Sequence, residues 1–122
     1  MMRIYHSKIV EIGKEACEIM QNDMIILFSA NAPQELKDYC VIHEKSELIK
    51  GLKTGDRLVL NKQYYTIINI GNTALDSLEE LGHVTLKFNM KAEDQILPGS
   101  IHLKEKLDYI PRINDFIILE RS

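Results

Sequence analysis

Two of the four histidines in this chain stand where chemistry could be done. In Glu35-Leu36-Lys37-Asp38-Tyr39-Cys40-Val41-Ile42-His43-Glu44 a short polar turn of helix runs into strand-like residues that end on His43. In Glu80-Leu81-Gly82-His83-Val84-Thr85-Leu86 a second histidine, His83, opens an alternating strand. An imidazole with an unperturbed pKa of about 6.5 is mostly neutral at pH 7, so it offers a nucleophilic nitrogen. A phosphoryl group taken onto that nitrogen is easily passed on. Such transfer is governed by positioning and charge stabilisation, so the site needs hydrogen-bond donors around the phosphoryl oxygens and needs no metal or cofactor. His43 is the candidate phosphoacceptor, His83 a stabilising partner and Thr85 a further donor, with the backbone N–H groups at the Gly71 and Gly82 turns beside them.

Each residue also has a plainer role. A histidine at the end of a strand is commonly structural or merely exposed, and Glu44 and Glu47 read as solvated charges that would repel a phosphoryl group nearby. Cys40-x-x-His43 has half of a zinc-site spacing, but residues three apart on a strand point to opposite faces and no second half follows. Cys40 reads instead as a small buried apolar residue. A non-catalytic β-barrel that binds a small molecule or a partner is the alternative the residue pattern leaves open.

The elements that must position these groups come from an ordinary globular composition. The 122 residues are 45% hydrophobic and 27% charged with a formal net charge of -3, which fits one domain over residues 1–122 and speaks against a broad cationic nucleic-acid surface. No apolar run approaches the roughly 20 residues of a membrane-spanning helix, and Met1-Met2-Arg3-Ile4-Tyr5 carries no signal-peptide pattern, so the expected compartment is the cytosol. Two cysteines without a CxxC argue against a disulfide scaffold.

Residues 3–12 are rich in β-branched and aromatic types and predict a first strand ended by Gly13, with His6 a surface or half-buried strand residue. Ala16, Ile19 and Met20 suggest a turn or two of helix. Asp23 to Ser29 is a continuous apolar run suited to a strand covered on both faces. Pro33 suits the start of a short helix through Asp38, and Tyr39 to His43 follow as a strand. Arg57–Leu60 and Tyr64–Ile70 predict a hairpin with the three-residue loop Asn61-Lys62-Gln63. Thr73 with Asp76 resembles a capping pair; Leu75, Leu78 and Leu81 recur at helical spacing, and Gly82 is placed to end the helix in a left-handed conformation. From His83 the alternation is strict, with Val84, Leu86, Phe88 and Met90 on one face and His83 and Thr85 on the other. Ser100 to Lys104, with His102 outward, and Phe116 to Leu119 complete the strands. The sequence has no repeats, low-complexity segments or domain linkers. Six to eight short strands with one clear helix argue for an all-β sandwich or a closed barrel, and the barrel is preferred because a sandwich would leave two exposed edges to protect.

The segments Asp38–His43 and Glu80–Phe88 resemble the enzyme IIA component of the glucitol/sorbitol-specific phosphotransferase system. The likeness extends to Ile12-Gly13, Asn31-Ala32-Pro33 and Pro98-Gly99-Ser100-Ile101-His102. It implies a six-stranded, Greek-key-like closed barrel with one or two short helices. It also implies a cytosolic phosphocarrier that accepts a phosphoryl group from the histidine phosphocarrier protein HPr and passes it to the IIB part of a membrane IIB/IIC sorbitol permease. On that resemblance the phosphorylated histidine falls on His43; a role for His83 follows by analogy with sugar-specific carriers whose sites pair two histidines.

Overall fold

The computed structural model describes residues 2–48 and 51–122. In chain order these form β1 (Met2–Ile12), α1 (Ala16–Gln21), β2 (Met24–Phe28), α2 (Gln34–Lys37), β3 (Val41–His43), β4 (Arg57–Leu60), β5 (Gln63–Ile70), α3 (Ala74–Leu81), β6 (Val84–Lys87), β7 (Ser100–Leu103) and β8 (Phe116–Arg121). Every strand-like run read from the sequence is a strand. All of them join one closed ring in the order β1-β3-β2-β6-β7-β5-β4-β8.

The ring corrects the barrel that the resemblance implies. Among the described residues it holds eight strands rather than six, with three short helices rather than one or two. The pairs β2–β3 and β6–β7 are parallel, which a Greek key of antiparallel strands does not contain. Each parallel pair needs a crossover, and the α2 segment and the stretch 88–99 supply them.

The order of the ring also reveals an internal duplication that the residue pattern hides. Exchanging β1 with β5, β2 with β6, β3 with β7 and β4 with β8 leaves the ring unchanged, parallel pairs included. Corresponding strands slip register at the same place, between Ile9 and Glu11 in the first half and between Ile67 and Asn69 in the second. Gly13 and Gly71 match as well. A Cβ on Gly13 would lie 2.2 Å from the Lys37 carbonyl oxygen, and one on Gly71 would lie 2.2 Å from that of Pro98, so each half needs a glycine where the backbone passes closest. Few side chains are identical between the halves, since any apolar residue of suitable size can fill a lumen position.

Alternation along the strands sorts the apolar residues into two groups. Ile4, Tyr5, Ile9, Ile25, Leu27, Val41, Val84, Leu86 and their like fill the lumen, whereas Phe28, Ala32, Cys40 and Ile42 form a smaller cluster on the outer face of β2 and β3, with Ile26 packed against it. The apolar run of β2 is thus sealed on its lumen side by Ile25 and Leu27, whereas on the outer side Phe28 is buried and Ile26 only partly covered, so the strand expected to be covered on both faces is fully covered on one. Two local expectations are corrected. Asn61 and Lys62 both take left-handed φ values and Leu60 pairs with Gln63, so the hairpin loop has two residues, whose turn matches the strand twist. Thr73 makes no side-chain capping bond to α3.

Candidate functional site

Strand β3 alternates between the two cores. Val41 belongs to the lumen and Ile42 to the outer cluster, so His43 faces inward again. It pairs across the ladder with Ile9, and Ser7 lies two residues earlier on the same face of β1. The diagonal neighbour in such a ladder is close enough for a direct contact. The Ser7 hydroxyl oxygen is 2.7 Å from Nδ1 of His43.

The other ring nitrogen meets the end of α3. Leu78 and Ala74 bury one side of that helix, and Gly82, at φ 68°, ends it by donating its N–H to the Leu78 carbonyl oxygen at 2.9 Å. This turns the Gly82 carbonyl toward the barrel, 2.8 Å from Nε2 of His43. A carbonyl oxygen only accepts, so Nε2 carries the hydrogen and Nδ1 uses its lone pair to accept the Ser7 hydroxyl hydrogen. Lys45 reinforces the junction by donating to the Glu80 carbonyl oxygen at 3.1 Å.

The ring is 1% exposed. Burial pushes its pKa below the ordinary histidine range and the bond to Gly82 pulls it part of the way back, which leaves a neutral imidazole. Tyr5 packs edge-on against it, with centroids 6.1 Å apart, and the Tyr5 hydroxyl accepts the Ser46 N–H at 3.2 Å. Ser7, two residues along β1 from Tyr5, is 3% exposed. One buried imidazole therefore faces the apolar lumen with both nitrogens engaged.

The other sequence candidates lie elsewhere. His83 stacks on Phe28, centroids 4.2 Å apart and planes 11° from parallel, and burial lowers its pKa. Together with Thr85, Ile26, Phe28, Tyr39 and Cys40 it lines an open groove of about 410 Å³ on the outer face of the barrel wall. His43 and His83 thus keep different company: the first bonds Ser7 and Gly82 in the lumen, the second stacks outside. The backbone N–H groups of Gly71 and Gly82 are taken up by the Ser100 and Leu78 carbonyls, so Gly82 offers the site an acceptor rather than a donor. Cys40 packs in the outer cluster, on the opposite face of the wall from His43, and the half zinc spacing brings no shared ligand pair. Among the described residues no three His, Cys, Asp or Glu side chains gather as a metal site.

His6 is the half-buried strand residue its context suggests, stacked on Phe116 at 4.5 Å. His102 points out of the lumen but is fully buried, and Asn69 beside it donates to the Ala92 carbonyl oxygen of the 88–99 crossover at 3.2 Å. Ser7 escaped the sequence reading altogether. Its signal was one small hydroxyl between Tyr5 and Ile9 on the buried face of β1.

Fold and site together define a small closed mixed β-barrel whose one hydrogen-bonded lumen histidine is held between a strand and the end of a helix. A family model, PTS system glucitol/sorbitol-specific IIA component, matches residues 4–117, and the chain belongs to that family. It is 38% identical over 103 residues to the glucitol/sorbitol-specific EIIA component of Escherichia coli (strain K12), covering 84% of this chain and 83% of that protein. The Shigella flexneri component of the same name gives the same figures. A crystal structure of a PTS system IIA component from Enterococcus faecalis V583 superposes with a TM-score of 0.79 at 28% identity, covering 93% of this chain and 97% of that one. Membership carries phosphotransferase activity in general and interaction with other components of the system. Among the described residues no helix is long and apolar enough to cross a membrane.

Proposed function

We propose that this chain is a cytosolic phosphocarrier that takes a phosphoryl group from HPr onto His43 and passes it to the IIB component of a glucitol/sorbitol permease. The observation that carries the reading is the contrast between the two halves of the barrel. His43 pairs with Ile9 as Leu103 pairs with Ile67, so the duplicated scaffold fills the equivalent place with a fully buried leucine. Packing does not require an imidazole there. A buried polar ring held by two hydrogen bonds where an apolar residue would serve is a group retained for its chemistry.

Nε2 is the atom through which transfer would run. Ser7 sits in β1, which is laddered on both sides to β3 and β8, whereas Gly82 belongs to the turn that ends a short helix. The turn is the partner that can move aside. His83 and Thr85, one and three residues beyond Gly82, line the outer groove, where they would meet the docked donor or the phosphoryl oxygens once the turn opens. Docking surfaces of this transient kind often bury less than about 1,200 Å².

The test is intact mass after incubation with phosphorylated HPr at mildly alkaline pH, where phosphohistidine survives. The expected result is one added phosphoryl group, absent in His43→Ala. Undiminished labelling of that variant removes His43 from the mechanism.

A further inference from the structure

We infer that Ser7 is a positioning residue for phosphoryl transfer, its hydroxyl switching from donor to acceptor at His43 Nδ1 as the ring changes tautomer. The inference rests on the phosphoacceptor reading of His43 and extends it to a residue outside the His43 and His83 segments. In the structure the Gly82 carbonyl holds the hydrogen on Nε2, which leaves Nε2 without a lone pair for attack. Attack from Nε2 therefore needs the hydrogen on Nδ1 instead. The only partner of Nδ1 among the described residues is the Ser7 hydroxyl at 2.7 Å. A hydroxyl rotates about its C–O bond and can serve either tautomer without movement of the backbone.

Once the Gly82 turn opens, the Nε2 proton leaves to solvent and a proton from solvent is taken up at Nδ1, so the tautomer changes with no net gain or loss, and the transfer step then balances. The Nε2 lone pair forms a bond to phosphorus while the N–P bond of a protonated phosphohistidine donor breaks. That bond's electron pair returns to the donor ring, which leaves neutral. His43 now carries the phosphoryl group on Nε2, a hydrogen on Nδ1 and the ring's positive charge. The Ser7 oxygen accepts the charged Nδ1–H, a stronger bond than the neutral one it replaces.

Two further observations place Ser7 in this role. The residue equivalent to Ser7 in the second half is Tyr65, whose ring packs edge-on against Phe88. The small hydroxyl thus stands only in the half that holds the imidazole, beside Tyr5, and the Ser46 amide fixes the Tyr5 hydroxyl. Ser7 is also 3% exposed, so water does not compete for Nδ1 in the closed state.

Ser7→Ala, Ser7→Thr and His43→Ala in the full chain test this, with thermal melts to establish folding. In the unphosphorylated protein, ¹⁵N NMR of the histidine rings should show the Nδ1 resonance of His43 displaced in Ser7→Ala. With phosphorylated HPr, Ser7→Ala should accept the phosphoryl group about tenfold more slowly, as expected for loss of a hydrogen bond to a charged group. The pKa of its phosphorylated ring, followed by ³¹P NMR, should fall, and Ser7→Thr should restore both rate and titration. Wild-type rate and ring titration in a folded Ser7→Ala, with His43 still the labelled residue, overturn the role of Ser7 alone. Labelling that persists in His43→Ala overturns the phosphoacceptor reading itself, and the two failures are distinguishable.

Discussion

The carbonyl oxygen of Gly82 lies 2.8 Å from Nε2 of His43, so the left-handed residue that ends α3 also closes the site. A Cβ at position 82 would stand 3.1 Å from the Ser29 Cβ and 3.3 Å from Nε2 itself, at a φ that L side chains avoid. Gly82→Ala should therefore destabilise the protein by about 1–3 kcal/mol in urea titration and displace the Nε2 resonance of His43. An unshifted resonance in that variant would mean that the turn does not control the ring.

His83 permits a separation of stacking from chemistry. His83→Ala removes a ring pair worth about 0.5–1.5 kcal/mol and should slow phosphoryl transfer without preventing the labelling of His43. His83→Phe keeps a ring over Phe28 and should restore stability. If it also restores the transfer rate, the imidazole of His83 has no chemical part; a rate that stays low assigns it one.

Stability should depend on pH through the buried imidazoles. Burial holds the pKa values of His43, His83 and His102 below their ordinary value, for His102 with help from Lys87 and against Asp94. Below about pH 6.5 the unfolded chain binds protons that the folded chain refuses, so the contribution of these residues is complete above that pH and is lost as pH falls through the depressed values. Urea midpoints should be level from pH 7.5 to 7 and drop from 6.5 to 5.5. His43→Leu, which copies Leu103, should stay folded and flatten part of that drop; an equally steep decline would show that the His43 proton plays no part in it.

Asp56 is 3% exposed and accepts two bonds from Arg121, Nε at 2.8 Å and a terminal nitrogen at 2.9 Å, and this guanidinium holds its carboxyl below the usual range. The pair ties the turn before β4 to the end of β8, where the ring closes. Arg121→Met takes the guanidinium from a carboxylate that then keeps the Lys53 N–H at 2.8 Å, so the urea midpoint should fall. Replacing both, as in Asp56→Leu with Arg121→Met, should recover much of the loss. A double variant no more stable than the single one would contradict this account.

The residues alone determined the eight strand runs, the glycine that ends α3 and the histidine that closes β3, because alternation, capping and turn chemistry are local properties written within a few positions. The strand count taken from resemblance was six, the low end of the six to eight that the runs supported, and the structure has eight among the described residues. The tertiary structure decided which face of each strand became lumen. Alternation makes His43 and Ile42 point opposite ways and sets His83 and Thr85 apart from Val84, but it does not say which side closes on itself. Ring closure joins strands far apart in sequence. It put Ser7 against His43, turned the Gly82 carbonyl onto Nε2, left His83 on the outer wall and exposed a duplication that freely exchangeable core residues conceal.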